Sequence, residues 1–171
     1  ELEIEEAFLN YRFPDFPFFF QVGRWGQSFG TEMFYGDTND TGVMIGFNAG
    51  DILTFSAGNF TLTETKDGRE DHDMSFIRAD AKFDKKNKLS VFLVMAREHT
   101  AYDPASPDDH DKDVYNLGLN YKGKLGNIGL ELEGNKQFGS YMADDGVTEI
   151  DYEGYAMMGK VSTKMGNLKP N

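Results

Sequence analysis

MSFIRADAKF, residues 74–83, alternates with a period of two: Ser75, Ile77, Ala79, Ala81 and Phe83 fall on one side, Arg78, Asp80 and Lys82 on the other. Successive side chains of a β-strand point to opposite faces, so this stretch reads as a strand with one apolar and one charged face. It exits through a short link, DKKNK at 84–88, and is entered through a long acidic one, TKDGREDHD at 65–73.

The same unit recurs in both directions. Upstream, EAFLNYRF (6–13) sets Ala7, Leu9, Tyr11 and Phe13 against Glu6, Phe8, Asn10 and Arg12. FFFQVGRW (18–25), TGVMIGFN (41–48) and DILTFSAGNFTL (51–62) follow. Downstream come LSVFLVMAR (89–97), VYNLGLNYK (114–122), IGLELEGN (128–135) and YEGYAMMGKVSTK (152–164). Short links fall near 14–17, 48–51, 84–88, 123–127 and 166–171, and long ones near 27–40, 65–73, 98–113 and 139–151. No stretch keeps apolar residues at helical spacing without Gly or Pro cutting it, and β-branched and aromatic residues favour strands. The whole chain, 1–171, therefore reads as one all-β meander of about nine strands.

Strict alternation of short and long links is what an antiparallel up-and-down transmembrane β-barrel requires, with tight turns at one rim and long loops at the other. Mean hydropathy is negative, as it is in barrels that show lipid only every second residue. No run of about 18 apolar residues exists to make a spanning helix. With 17 Lys and Arg against 29 Asp and Glu, the chain carries a net charge of −12, which excludes binding to a nucleic-acid backbone. The absence of cysteine leaves the redox compartment open. A soluble ligand-binding barrel is the alternative, with its apolar face turned inward. Aromatic residues gather at the first short turn (Tyr11, Phe13, Phe16, Phe18) and near long-loop ends (Trp25, Phe29, Phe138, Tyr141, Tyr152, with Tyr102 in a loop), as in the girdles of outer-membrane barrels.

EEAFLNYRF, then FFFQVGRWGQSFG and a strand opening TGVMIGF, resemble the porin-like outer-membrane barrels of Gram-negative bacteria, particularly the group related to alginate export channels. Glu6, Ala7 and Phe8 match the Glu-Ala-aromatic element of that group, and Val22, Gly23 and Arg24 match its Val/Leu-Gly-Arg element. Trp25 stands where those proteins commonly carry Gln. The resemblance implies an outer-membrane location, contact with the bilayer and lipopolysaccharide, and a channel function. Single-chain bacterial barrels have an even number of strands, so nine are expected to belong to a larger barrel of roughly 14 to 18.

If the apolar faces meet lipid, the pore lining comprises Glu6, Asn10, Arg12, Gln21, Arg78, Asp80, Lys82, Asn116, Asn120, Lys122, Glu131, Glu133, Asn135 and Lys160. Arg24 shares the parity of Val22 and joins this lining only if a bulge at Gly23 turns it inward, which is the expectation adopted. Both signs of charge occur, which suggests a transverse field or a salt-bridged wall instead of a filter for one sign. The long loops are acidic, and Asp108, Asp109 and Asp111 offer carboxylates for Ca²⁺ or Mg²⁺, although no calcium-loop spacing occurs and solvated loops are the alternative. No other cofactor is expected. His72, His99 and His110 are scattered, and nothing ties Ser28 to His99 as a nucleophile and base, so no enzyme is expected. Two functions remain: a porin for small polar or anionic solutes, or a sheath around a periplasmic partner such as a multihaem electron carrier. A sheath should be wide and empty of inward loops, and a porin constricted.

Overall fold

A computed structural model describes residues 6–32, 38–64, 70–100, 112–142 and 148–163. The strands are β1 (Ala7–Arg12), β2 (Phe18–Gln27), β3 (Thr38–Ala49), β4 (Leu53–Glu64), β5 (Glu70–Lys82), β6 (Lys88–Thr100), β7 (Lys112–Leu125), β8 (Ile128–Met142) and β9 (Glu149–Thr163). They form one sheet in chain order, each strand antiparallel to the next, so the alternation of side chains translates directly into a nine-stranded meander. The sheet is open: among the described residues β1 and β9 each pair along one side only.

The strands run further toward the long connections than the alternation suggests. Residues 70–73, 98–100, 112–113, 139–142 and 149–151, expected in loops, belong to the ladders. Opposite charges facing each other explain part of this extension. Arg97 lies between Asp73 on β5 and Asp113 on β7 in the register, and its Nε stands 3.4 Å from an Asp113 carboxylate oxygen. At the other margin the turns are tight. Only Gly126 and Asn127 join β7 to β8. In the turn after β5, Asp84 accepts hydrogen bonds from the backbone N–H groups of Lys86 (2.6 Å) and Asn87 (2.8 Å) and from Asn87 Nδ2 (2.7 Å). Asn87 Oδ1 in turn accepts from the Tyr121 hydroxyl (2.9 Å), tying that turn to β7.

The two faces of the sheet differ as the alternation requires. One presents Val43, Ile45, Phe55, Ile77, Val91, Leu117, Leu119 and Leu132, all exposed. The other carries the buried residues Trp25, Phe60, Met74, Phe76, Phe92 and Val94, with Phe29 from the connection after β2 packed among them. Trp25 and Phe29 thus correct the aromatic girdle expected from sequence. Trp25 has the parity of Gln21, so its ring turns to the inner face and lies 4.6 Å from that of Phe60. Phe13, Phe16 and Phe18 do stand exposed at the short-turn margin.

Besides Phe8 with Gly23, four directly opposed pairs on the inner face combine a glycine with a phenylalanine from a neighbouring strand: Phe19 with Gly46, Phe60 with Gly42, Phe76 with Gly58 and Phe92 with Gly118. In each of these four, a Cβ on the glycine would run into the opposing ring. The rings cover the side-chain-free backbone of the neighbouring strand, the arrangement by which aromatics compensate strand glycines.

Concave face and inward loop as the candidate functional site

Beyond β2 the chain does not continue away from the sheet. Ser28–Glu32 fold back over the inner face, turning at Gly30 (φ 61°) and Glu32 (φ 65°), with the Glu32 N–H donating to the Phe29 carbonyl at 3.1 Å. Phe29 is 2 % exposed, its ring centroid 5.1 Å from Phe76 on β5 and 5.6 Å from Phe92 on β6. Arg78 Nη1 donates to the Ser28 carbonyl at 3.2 Å. The Thr31 N–H donates to the Glu133 carboxylate on β8, and a Cβ at residue 30 would strike that same carboxylate. From β2 to β8 is six strand spacings, about 29 Å along the wall. From the end of β2 at Gln27 to Thr31 the chain spans at most about 14 Å, and the Glu133 side chain with its hydrogen bond adds about 7 Å. The sheet therefore curls, and the loop runs as a chord across its concave side.

Glu133, 4 % exposed, anchors the far end of this chord. A buried carboxylate is costly unless hydrogen bonds replace its water. Here Asn120 Nδ2 (3.0 Å) and Asn135 Nδ2 (2.6 Å) donate to it beside the Thr31 amide. Asn116 and Asn120 are buried on the adjacent strand. Toward the short turns, Asp80 holds Arg78 Nε (2.9 Å), Lys88 Nζ (3.2 Å) and the Ser90 hydroxyl (2.5 Å), and Glu131 holds Lys122 Nζ (3.3 Å). Near β1, Asn10 Nδ2 donates to Gln21 Oε1 (2.8 Å), Arg12 lies 6.0 Å over the Phe19 ring, and Glu6 accepts from the Gly26 N–H (3.3 Å). A network with both signs of charge holds fixed dipoles across the trough and accommodates polar groups of either sign.

The residues expected to line the lumen share this concave face, with one correction. The ladder passes through Gly23 without a register shift, pairing Phe8 with Gly23 and Ala7 with Arg24 on one side and Gly23 with Gly42 on the other. Arg24 therefore stays on the face of Val22, exposed near the long-connection margin. Gly23 is special in another way: its φ of 126° and the close approach of the β1 backbone leave no room for a side chain. Asp108, Asp109, Asp111, His110 and Tyr102 lie outside the described residues. Among the described residues, no group of three His, Cys, Asp or Glu side chains is placed to hold a metal, and no helix is long and apolar enough to cross a membrane. Ser28 meets Arg78 through its carbonyl oxygen. His99 sits opposite Asp71 in the ladder.

Sequence reasoning missed the loop and the aromatic cluster beneath it. The available signal was Phe29 itself, a large apolar residue between Gly26 and Gly30 directly after the strand. A comparison with protein families and with characterised proteins finds no match to this chain.

Proposed function

We propose that the chain forms part of the wall of an outer-membrane β-barrel channel for small polar or anionic solutes, with Ser28–Glu32 narrowing the water path. The observation that carries this is an inward loop on the concave side of a sheet whose convex side presents an apolar band, with the ion pairs Arg97–Asp113 and Lys136–Glu153 toward the long connections. Ile45, Ile77, Leu119 and Met157 on that convex side are each more than half exposed. They belong to a continuous apolar surface of a kind that soluble monomers rarely leave in water. Lipid covers it in this reading, whereas a soluble ligand-binding barrel would turn it inward. Among the described residues the backbone edges of β1 and β9 are unpaired, and bare edges are not tolerated in hydrocarbon. Further strands therefore complete the wall. A sheath around a protein partner calls for a lumen free of inward loops, and the chord from β2 to β8 favours the channel over that alternative.

Planar-bilayer recording of the full-length protein provides the test, with unit conductance steps expected. Glu133→Gln places an amide N–H₂ among the three donors that now meet the carboxylate, so it should loosen the loop and enlarge the step. Silent insertion into the bilayer would favour the sheath. Monodisperse behaviour without detergent would return the soluble barrel.

A further inference from the structure

The short-turn margin of the concave face carries a chemistry that the narrowing loop does not use. Lys82, Lys88, Lys122, Glu131 and Lys160 are successive cross-strand partners on β5, β6, β7, β8 and β9. They form one transverse row in which four of five positions are cationic. Directly opposed residues stand roughly 4.5–5.5 Å apart, and like charges there repel. The juxtapositions Lys82–Lys88 and Lys88–Lys122 are therefore unfavourable by themselves, and Asp80 and Glu131 relieve them in part by holding Lys88 and Lys122. Lys85 and Lys86 from one turn and Lys124 beside the next join the row around a groove of about 680 Å³. A chain with a net charge of −12 thus gathers seven of its 17 cationic residues at one groove.

The local carboxylates do not neutralise this concentration. Asp80 is engaged by Arg78 and Lys88, Glu131 by Lys122, and Asp84 by the N–H groups of its own turn. Lys82, Lys85, Lys86, Lys124 and Lys160 form no ion pair among the described residues. Opposed lysines around a groove become favourable when an anion sits between them, because each repulsion is then replaced by two attractions.

We infer that this groove binds a compact multivalent oxyanion of the polyphosphate type, its charged oxygens bridging successive lysines of the row. A single small anion reaches one or two ammonium groups, whereas a linear one with several charges spans the row. The row faces away from the apolar side of the sheet, so the anion arrives from water and not from the lipid surface. Binding here does not depend on conduction, and failure of the channel reading would leave it standing.

Calorimetric titration of the full-length protein in detergent at low ionic strength, with inorganic tripolyphosphate and with orthophosphate, tests the site. Tripolyphosphate is expected to bind at least about tenfold more tightly than orthophosphate. The double variant Lys82→Gln/Lys160→Gln is expected to lose about tenfold or more of that affinity. Lys85→Gln/Lys86→Gln, confined to a solvent-exposed turn, should also weaken binding, which guards against misfolding of the strand variant. Lys112→Gln at the opposite margin should bind as the parent does. Absence of binding, equal affinity for the two anions, or full affinity in both double variants would each overturn the inference.

Discussion

Toward the long connections, the concave face is dry: Trp25, Phe60, Phe76 and Phe92 stand on four different strands, and Phe29 closes over them from the loop. Toward the short turns, β5 and β6 carry Lys82 and Lys88 on the same face with the same parity, open to water. The period-two pattern is identical in both halves, yet the burial differs completely. Strand alternation decides which face a side chain joins; whether that face is dry depends on what covers it. Here five residues of connection, Ser28–Glu32, make that difference.

Substitutions in the two halves should diverge accordingly. Phe29→Ala removes the ring that joins loop to wall and should cost about 3–5 kcal/mol, the range for a buried aromatic. Urea unfolding in detergent would measure it, and amide exchange at residues 30–32 should accelerate in parallel. A loss below about 1 kcal/mol would mean that the loop is not held by its aromatic anchor. Gly118→Ala, on the floor beneath Phe92, should cost about 1–3 kcal/mol because the new methyl group meets that ring. An unchanged unfolding midpoint would show that the ring swings aside freely.

In the lysine half the sign reverses. Lys82→Gln removes one of two directly opposed charges and should leave stability unchanged or raise it by about 0.2–1 kcal/mol in the absence of added anion. A clear loss in the same urea experiment would erase the contrast between the halves. The smallest effect concerns pH. Hydrogen bonds from the Asn87 side chain and the Lys86 amide hold the Asp84 carboxyl below its usual value. A carboxylate with a depressed folded value stabilises above its unfolded value, and that contribution disappears as pH falls through the folded one. Acidification should therefore expose the Lys86 and Asn87 amides to exchange while the Phe29 cluster stays protected. If both regions respond together, the turn is not an independent unit.

Much of the wall was legible in the sequence because each strand reports its own faces. Ser75 to Phe83 suffices to orient β5, and the lining residues from Gln21 to Lys160 follow by parity. The loop was not legible, because its position depends on contacts with partners far along the chain, Arg78, Phe92 and Glu133, which no local period encodes. Arg24 failed for a related reason: Gly23 signals an unusual backbone, but only the partner strands determine whether it adds a residue to the ladder. The extra strand length at Asp73 and Asp113 was hidden because charged, loop-like composition masked their cross-strand pairing with Arg97. The lysine row required the registers of four successive pairings at once.

The Gly–Phe pairs bear on how nine similar strands find their correct partners. Sliding one strand past another by a single residue exchanges its faces and is strongly disfavoured. Sliding by two keeps apolar with apolar and polar with polar, so alternation alone does not forbid it. After such a slip Phe92 would oppose Asn116 or Asn120 in place of Gly118, and Phe19 would oppose Met44 or Asn48 in place of Gly46. Each ring would lose its vacant berth. The glycines thus work as notches that admit one alignment at four of the eight strand pairings, a proofreading function carried by residues with no side chain.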